Sequence, residues 1–96
     1  MTMKLDHLRQ QIDEIDHELV ALLAKRFQIT EEVGKYKAAH CLQAQDPGRE
    51  ALQFKKIEEL AKLSGLHAGN AAAIFRCIMD QVIARHEELR SERVSS

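Results

Sequence analysis

The chain has 96 residues and a formal net charge of −1 with neutral histidines. This length favours one domain, and the balanced charge argues against a generic binder of nucleic acids or anionic membranes. No apolar run approaches the roughly 20 residues that cross a bilayer, and no signal peptide is evident. Good helix formers dominate and the only proline is Pro47, so we predict a cytoplasmic all-α domain that spans residues 1–96.

The first predicted element is one long amphipathic helix from about Leu5 to about Ala39. Its apolar residues recur every three or four positions: Leu5, Leu8, Ile12, Ile15, Leu19, Leu22, Ile29 and Val33. Such a helix is roughly 50 Å long, whereas a globule of this chain length is only about 30 Å across. Because the chain cannot cover this helix alone, we expect a partner chain to cover the rest.

The second predicted helix follows a connection at residues 39–45. Asp46 is a suitable N-cap and Pro47 a suitable first residue, because proline has no N–H to leave unsatisfied. The helix is expected to run to about Leu63 and to end at Gly65 in the left-handed conformation. Its inner side is predicted to consist of Leu52 or Gln53, Ile57, Leu60 and Ala61.

The third predicted helix runs from about Gly69 to about Arg90, and residues 91–96 are expected to fray. Its inner stripe comprises Ala71, Phe75, Ile78, Val82, His86 and Leu89. A histidine in such a stripe usually packs in the core with one ring nitrogen satisfied. The other histidines are dispersed, and Cys41 and Cys77 have no metal-ligand spacing, so we expect no metal ion and two free thiols.

Several cations interrupt or flank the apolar pattern. Arg26 lies where the first stripe needs an apolar residue, and a buried cation is costly unless it meets an anion. Lys37 continues the same side of the helix, and Arg49 follows in the first turn of the second. An antiparallel partner would bring its copy of Arg9 to Arg26. Taken singly, each cation fits a surface charge, and Arg26 also fits an ion pair with a carboxylate such as Glu50.

The cations and the apolar residues around them follow one another at fixed spacings along nearly the whole chain. In order they are Leu8-Arg9, Ile12, Ile15-Asp16, Leu19, Leu22-Leu23, Arg26, Val33-Gly34, Lys37, Asp46-x-x-Arg49-Glu50 and Ile74-Phe75. The series covers residues 5–89 and resembles the all-helical chorismate mutases. The resemblance implies an intertwined homodimer of three-helix protomers, each with one long N-terminal helix.

The resemblance also implies an activity in aromatic amino-acid synthesis. Chorismate, a dicarboxylate, would rearrange to prephenate within one molecule, without a cofactor. The binding cations would be Arg26, Lys37 and Arg49 of one protomer with Arg9 of the other. Asp46 and Glu50 would contact the substrate hydroxyl. Arginine forks suit carboxylates, and Lys37 would stabilise the charge that builds on the breaking ether oxygen.

Two positions on the third helix depart from the family pattern. His86 stands where the family often has Gln or Glu near the ether oxygen, and Val82 stands where a Ser can contact a carboxylate. These changes leave open an isochorismate-pyruvate lyase or a 4-amino-4-deoxychorismate mutase of the same fold. The spacing Asp46-x-x-Arg49-Glu50 favours the mutase over the lyase. A non-catalytic helical dimerisation module is a third alternative, but such a module gains nothing from Arg26 in its seam.

Overall fold

The computed structural model describes residues 2–95, with side chains described within residues 3–92. Over this range the chain forms three α-helices and no strand: α1 is Thr2–Ala39, α2 is Pro47–Ser64 and α3 is Ala68–Ser95. The predicted all-α class, three helices and long first helix are therefore confirmed. Met1 and Ser96, the two ends of the predicted domain, lie outside the described residues. Within residues 2–95, no helix combines the length and apolar character that crossing a membrane requires.

The chain divides into two compact units, Met1–Thr30 and Glu31–Ser96, and the boundary falls inside α1. In the first unit, residues 3–30 contain no buried side chain. Its large apolar residues are exposed at helical spacing: Leu5, Leu8, Ile12, Ile15, Leu19, Leu22 and Ile29. A contiguous exposed apolar row of this kind is typical of a surface that another chain covers.

The second unit has a thin core made mostly of small side chains. Its buried residues are Gly34, Ala44, Ala61, Ala71, Met79, His86 and Leu89. Ala61 of α2 and Ala71 of α3 belong to the two helices that pack on each other. The predicted inner side of α2 was wrong for the Leu52 option, which is exposed, whereas Leu60 lines a groove between α2 and α3 although about half of it is exposed. The prediction for α3 missed Met79.

The limits of α2 follow from its capping residues. Asp46 has an extended backbone, and its Oδ1 accepts a 3.1 Å hydrogen bond from the Arg49 backbone N–H. Pro47 is the first helical residue, as predicted. Gly65 follows the helix with φ 75°, and the next N–H, that of Leu66, donates to the Ala61 carbonyl at 2.8 Å. This left-handed cap satisfies a carbonyl that the helix leaves open.

The same type of cap ends α1, but without a glycine. Cys41 has φ 56°, its N–H donates to Ala38 O at 3.4 Å, and Leu42 N–H donates to Lys37 O at 2.8 Å. A left-handed conformation costs a residue with a side chain roughly 1–2 kcal/mol. Sequence analysis did not identify this cap, because cysteine is not a residue that typically provides one.

The third helix starts at Ala68 and continues to Ser95, so the predicted end near Arg90 was wrong. At its start, His67 Nδ1 accepts a 3.3 Å hydrogen bond from the Asn70 backbone N–H, which makes the imidazole a cap. Near its end, Arg85 Nη1 lies 3.0 Å from Glu88 and 3.8 Å from Glu92. Charge pairs along one face support a helix, and residues 91–95 contain no glycine or proline to stop it.

Candidate active site

The start of α2 brings two predicted acids and one predicted cation together. The Asp46 side chain caps the helix through Arg49 N–H, and Asp46 O accepts the Glu50 backbone N–H at 3.0 Å. Arg49 and Glu50 therefore sit in the first helical turn because the cap fixes where that turn begins. The positive end of the helix dipole favours the Glu50 carboxylate at this place.

The carboxylate of Glu50 is held on both oxygens. Arg76 Nη2 donates to Oε1 at 2.8 Å, and Gln45 Nε2 donates to Oε2 at 3.1 Å. The hydrogen bond from Arg76, reinforced by that from Gln45, lowers the pKa of Glu50 although the neighbouring carboxylate of Asp46 opposes the shift. Glu50 is therefore an ionised acceptor at neutral pH.

Arg76 of α3 is a functional candidate that sequence analysis missed. Its Nε donates to Asp80 Oδ1 at 3.0 Å, and its guanidinium carbon lies 5.3 Å from the centroid of the Phe54 ring. The sequence did contain one signal, an arginine four residues before an aspartate, which typically forms a pair along a helix face. That signal gives no indication of a partner on α2, since the contact with Glu50 joins residues 26 apart in the chain.

Lys37 lies in the last turn of α1 and points its ammonium group at the connection to α2. Nζ donates to Ala44 O at 3.1 Å, and Ala44 is buried. An ammonium group has three N–H donors, and this hydrogen bond uses one of them. The Ala44 carbonyl therefore holds the ammonium group of Lys37 two residues before Asp46, the N-cap of α2.

His86 is buried, with 4% of its surface exposed, and its ring lies against α1 at Gly34. A Cβ on Gly34 would lie 2.6 Å from His86 Cδ2 and 2.7 Å from Leu89 Cδ1, so only glycine lets α3 approach this closely. Gly34 precedes Lys37 by three residues, which places the two on neighbouring positions of one helix face. Val82 lies one turn before His86 and is half-buried.

A second ion pair ties α3 to α1 beside His86. Arg85 Nε lies 2.7 Å from Glu31 Oε1, and the hydrogen bond from Arg85 lowers the pKa of Glu31. At the other end of the connection, Arg90 Nη1 donates to Gln43 Oε1 at 2.9 Å. These contacts fix the end of α1 and the connection against α3.

The predicted site residues divide between the two units. Glu31–Ser96 contains Lys37, Asp46, Arg49, Glu50, Val82 and His86. Met1–Thr30 contains Arg9, which is exposed, and Arg26, which is half-buried. Within the second unit, the end of α1, the connection and the start of α2 bring Lys37, Asp46, Arg49 and Glu50 onto one short stretch of backbone. Among the described residues, no group of three or more His, Cys, Asp or Glu side chains could hold a metal ion.

A separate groove between α2 and α3 does not suit an anionic ligand. Its volume is about 220 Å³, and its lining contains no charged side chain: Ile57, Leu60, Ala61, Ser64, Leu66, Ala71 and Phe75. A dicarboxylate would lose its hydration there without gaining a cation. The charged stretch around Lys37 and Glu50 is therefore the better candidate.

The fold and these charged residues define a small all-α protein with a candidate site for an anionic ligand. Residues 8–87 match the family model described as chorismate mutase type II. The chain belongs to the chorismate mutase type II family, so the family predicted from the sequence is confirmed.

Curated relatives agree with this assignment. A chorismate mutase of Methanocaldococcus jannaschii is 27% identical, and the match covers 96% of this chain and 93% of that protein. A T-protein of Haemophilus influenzae is 33% identical over 96% of this chain, but the match covers 24% of that protein. For a bifunctional chorismate mutase/prephenate dehydratase of Escherichia coli K12 the identity is 28%, and the match covers 92% of this chain. The chain spans about a quarter of the last two relatives.

Proposed function

We propose that this chain is an isomerase that rearranges chorismate to prephenate in aromatic amino-acid synthesis. The observation that carries the proposal is Lys37, whose ammonium is held by Ala44 O next to the capped start of α2. Family membership over residues 8–87 supports the same activity. The reaction is a Claisen rearrangement within one molecule, so the site needs no nucleophile and no cofactor.

Two effects lower the barrier of such a reaction. The first is orientation, because the side chain of the substrate must be held over its ring. Arg26 and Arg49, with the partner's Arg9, bind the two carboxylates, for which the planar guanidinium is well suited. The second effect is electrostatic: Lys37 donates to the ether oxygen, where negative charge builds as the bond breaks.

The remaining site residues hold the substrate from α2 and α3. Glu50, an ionised acceptor, accepts a hydrogen bond from the substrate hydroxyl, and Asp46 lies beside it at the start of α2. His86 takes the place from which a ring N–H donates to the ether oxygen, and Val82 supplies an apolar contact one turn away. The burial of His86 against Gly34 supports a fixed orientation of the ring.

We further propose that two chains form an intertwined homodimer in the cytoplasm, each folding as a single domain. The exposed apolar row of residues 3–30 supports this assembly, since a second copy of α1 would cover it. The assembly also supplies Arg9 to the site of the other protomer.

The direct test incubates the purified chain with chorismate and follows the loss of its absorbance, with chromatographic identification of the product. We expect prephenate, and an equally purified Arg26→Ala variant controls for contaminating host enzyme. Parallel reactions with isochorismate and 4-amino-4-deoxychorismate test the two related activities. Turnover of either alternative substrate with none of chorismate would overturn the proposal, and no turnover at all would favour a non-catalytic dimerisation module.

A further inference from the structure

We propose that Arg76 is a positioning residue, which reaches from α3 to fix the Glu50 carboxylate as the acceptor for the substrate hydroxyl. This inference rests on the proposed function for the identity of the ligand. Arg76 does not touch the substrate in this account and acts only through Glu50.

The guanidinium of Arg76 is itself held in place by both helices. Its Nη2 lies 2.8 Å from Glu50 Oε1 and also 2.8 Å from Asp80 Oδ1, which receives a further bond from Nε. One face of the guanidinium lies over the Phe54 ring of α2. A guanidinium that binds two carboxylates and lies over an aromatic ring has little freedom, so it can fix the carboxylate of Glu50.

In the ion pair between Arg76 and Glu50, the more buried Glu50 depends more strongly on its partner. Its side chain is 14% exposed, whereas that of Arg76 is 43% exposed. Most exposed ion pairs contribute little, but a carboxylate that has lost most of its water depends on the donors that replace it. Arg76 and Gln45 each supply one donor, one to each oxygen. Each carboxylate oxygen accepts two hydrogen bonds, so capacity remains for a ligand hydroxyl.

The charges around Glu50 decide its ionisation. On its own helix, Asp46 disfavours the ionised form and Arg49 lies one residue away, while the connection contributes neutral Gln45. From α3 come Arg76 and its partner Asp80, and from α1 comes Lys37, which binds Ala44 O. Removal of Arg76 takes away the main group that favours ionised Glu50 and leaves the opposing effect of Asp46, so more of Glu50 becomes protonated. A protonated carboxyl can no longer accept on its O–H oxygen as an ionised one does.

The experiment compares Arg76→Gln with Arg76→Lys and with Arg85→Gln. The last variant is a matched control, because Arg85 has 42% of its side chain exposed and also makes an ion pair between helices, with Glu31. For Arg76→Gln we expect a KM about tenfold above that of the unsubstituted chain and a kcat within about threefold of it. This pattern is typical of an interaction that binds the substrate equally well in the ground state and in the transition state. The acidic limb of kcat/KM should also move to higher pH. Arg76→Lys should show smaller changes in both KM and the acidic limb than Arg76→Gln, since lysine keeps the charge but cannot bridge Glu50 and Asp80.

A second measurement does not depend on turnover. The side-chain carboxyl of Glu50 can be titrated by carbon NMR and assigned with a Glu50→Gln variant. The pKa of Glu50 should rise in Arg76→Gln and stay unchanged in Arg85→Gln. An unchanged Glu50 titration overturns the inference even if the protein is inactive on chorismate. A raised Glu50 pKa with unaltered KM and acidic limb in an active protein overturns it as well. Absence of turnover in the unsubstituted chain would instead reject the proposed function.

Discussion

Residues 3–30 expose every large apolar side chain of the first predicted stripe that they contain, from Leu5 to Ile29, and bury none. Glu31–Ser96, in contrast, buries Met79, His86 and Leu89 and ties its helices together with ion pairs and caps. The second unit thus has a core of its own, while the first presents a surface without one. The predicted site residues divide in the same way, because Arg9 and Arg26 belong to the unit that lacks a core. Assembly and catalysis should therefore fail together when the exposed apolar row of the first unit is altered, whereas changes in the second unit should affect one without the other.

The largest effect is expected from a charge in the exposed row, with Ile15→Glu as the variant. If a second copy covers this row, each dimer would bury two unpaired carboxylates, which costs several kcal/mol or forces the chains apart. We expect light scattering at micromolar concentration to give the mass of one chain, and kcat/KM to fall by about 10³-fold or more as the partner's cation is lost.

The control for that variant is Gln10→Glu, which adds the same charge on the side of α1 that carries Asp13, Glu14 and His17. It should keep the mass of two chains and most of the activity. A dimer that persists in Ile15→Glu would show that the exposed row is not the interface.

Next in size is Lys37→Ala, which removes the proposed charge at the ether oxygen. Loss of one such electrostatic contact typically lowers kcat by about 10²–10³-fold. The dimer and its thermal stability should change little, which separates this variant from Ile15→Glu. Lys35→Ala is a matched control two residues away, with a side chain that is 59% exposed and forms an ion pair along α1 with Glu32. Equal turnover in the two lysine variants would move the catalytic charge elsewhere.

A smaller effect, on stability, is expected from Gly34→Ala. The new Cβ would lie 2.6 Å from the His86 ring and 2.7 Å from Leu89, both buried, so α3 must shift. Overpacking of this kind costs about 1–3 kcal/mol, against a gain of about 1 kcal/mol from alanine in a helix. We expect a net loss of up to about 2 kcal/mol in urea unfolding at fixed protein concentration.

Gly48→Ala is the counterpart, because its Cβ would meet only Asp46 Oδ1 at 3.6 Å. It should be neutral or stabilising by up to about 1 kcal/mol. Stabilisation by Gly34→Ala to the same extent would contradict the close approach of α3 to α1.

The smallest effect is expected at the cap of α1, where Cys41→Gly should stabilise the chain by about 0.5–1 kcal/mol. Cys41 is exposed, so little packing is lost, and glycine adopts its left-handed backbone without steric cost. Gly65→Ala at the equivalent cap of α2 should lose a similar amount. Thermal unfolding of both variants checks the pair, and a less stable Cys41→Gly protein would refute the steric argument.

The sequence predicted those parts of the fold that depend on local chemistry. Asp46, Pro47 and Gly65 set the limits of α2 through capping rules, and the periodic row from Leu5 to Val33 predicted α1. The predicted end of α3 near Arg90 was too early, because polar residues at a chain end were expected to fray. The ion pairs of Arg85 and the lack of helix breakers instead favour a longer helix. Capping by His67 and Cys41 was also missed, since neither residue type is a usual signal for a cap.

For the candidate site, charge and spacing singled out Lys37, the family resemblance added Asp46 and Glu50, and the roles of all three stay predictions. Charge and spacing could not show that Ala44 O holds Lys37 or that Arg76 holds Glu50, because both contacts depend on how the helices and their connection pack. Long-range pairs of this kind have no fixed spacing in a sequence. The resemblance to a family predicted the site residues, whose roles stay predictions, and the structure added the groups that contact Lys37 and Glu50.

A mixture of two inactive variants tests most directly whether each site takes Arg9 from the other chain. Arg9→Ala and Arg26→Ala should each lose most activity. After unfolding and refolding together, half of the dimers are heterodimers with one intact site each, so roughly a quarter of the original activity should return. A mixture of Arg26→Ala and Lys37→Ala is the control. One protomer contributes both residues to a given site, so each of the two sites in a heterodimer still lacks one of them. The account predicts recovery in the first mixture alone. No recovery despite heterodimers seen by native mass spectrometry would contradict it.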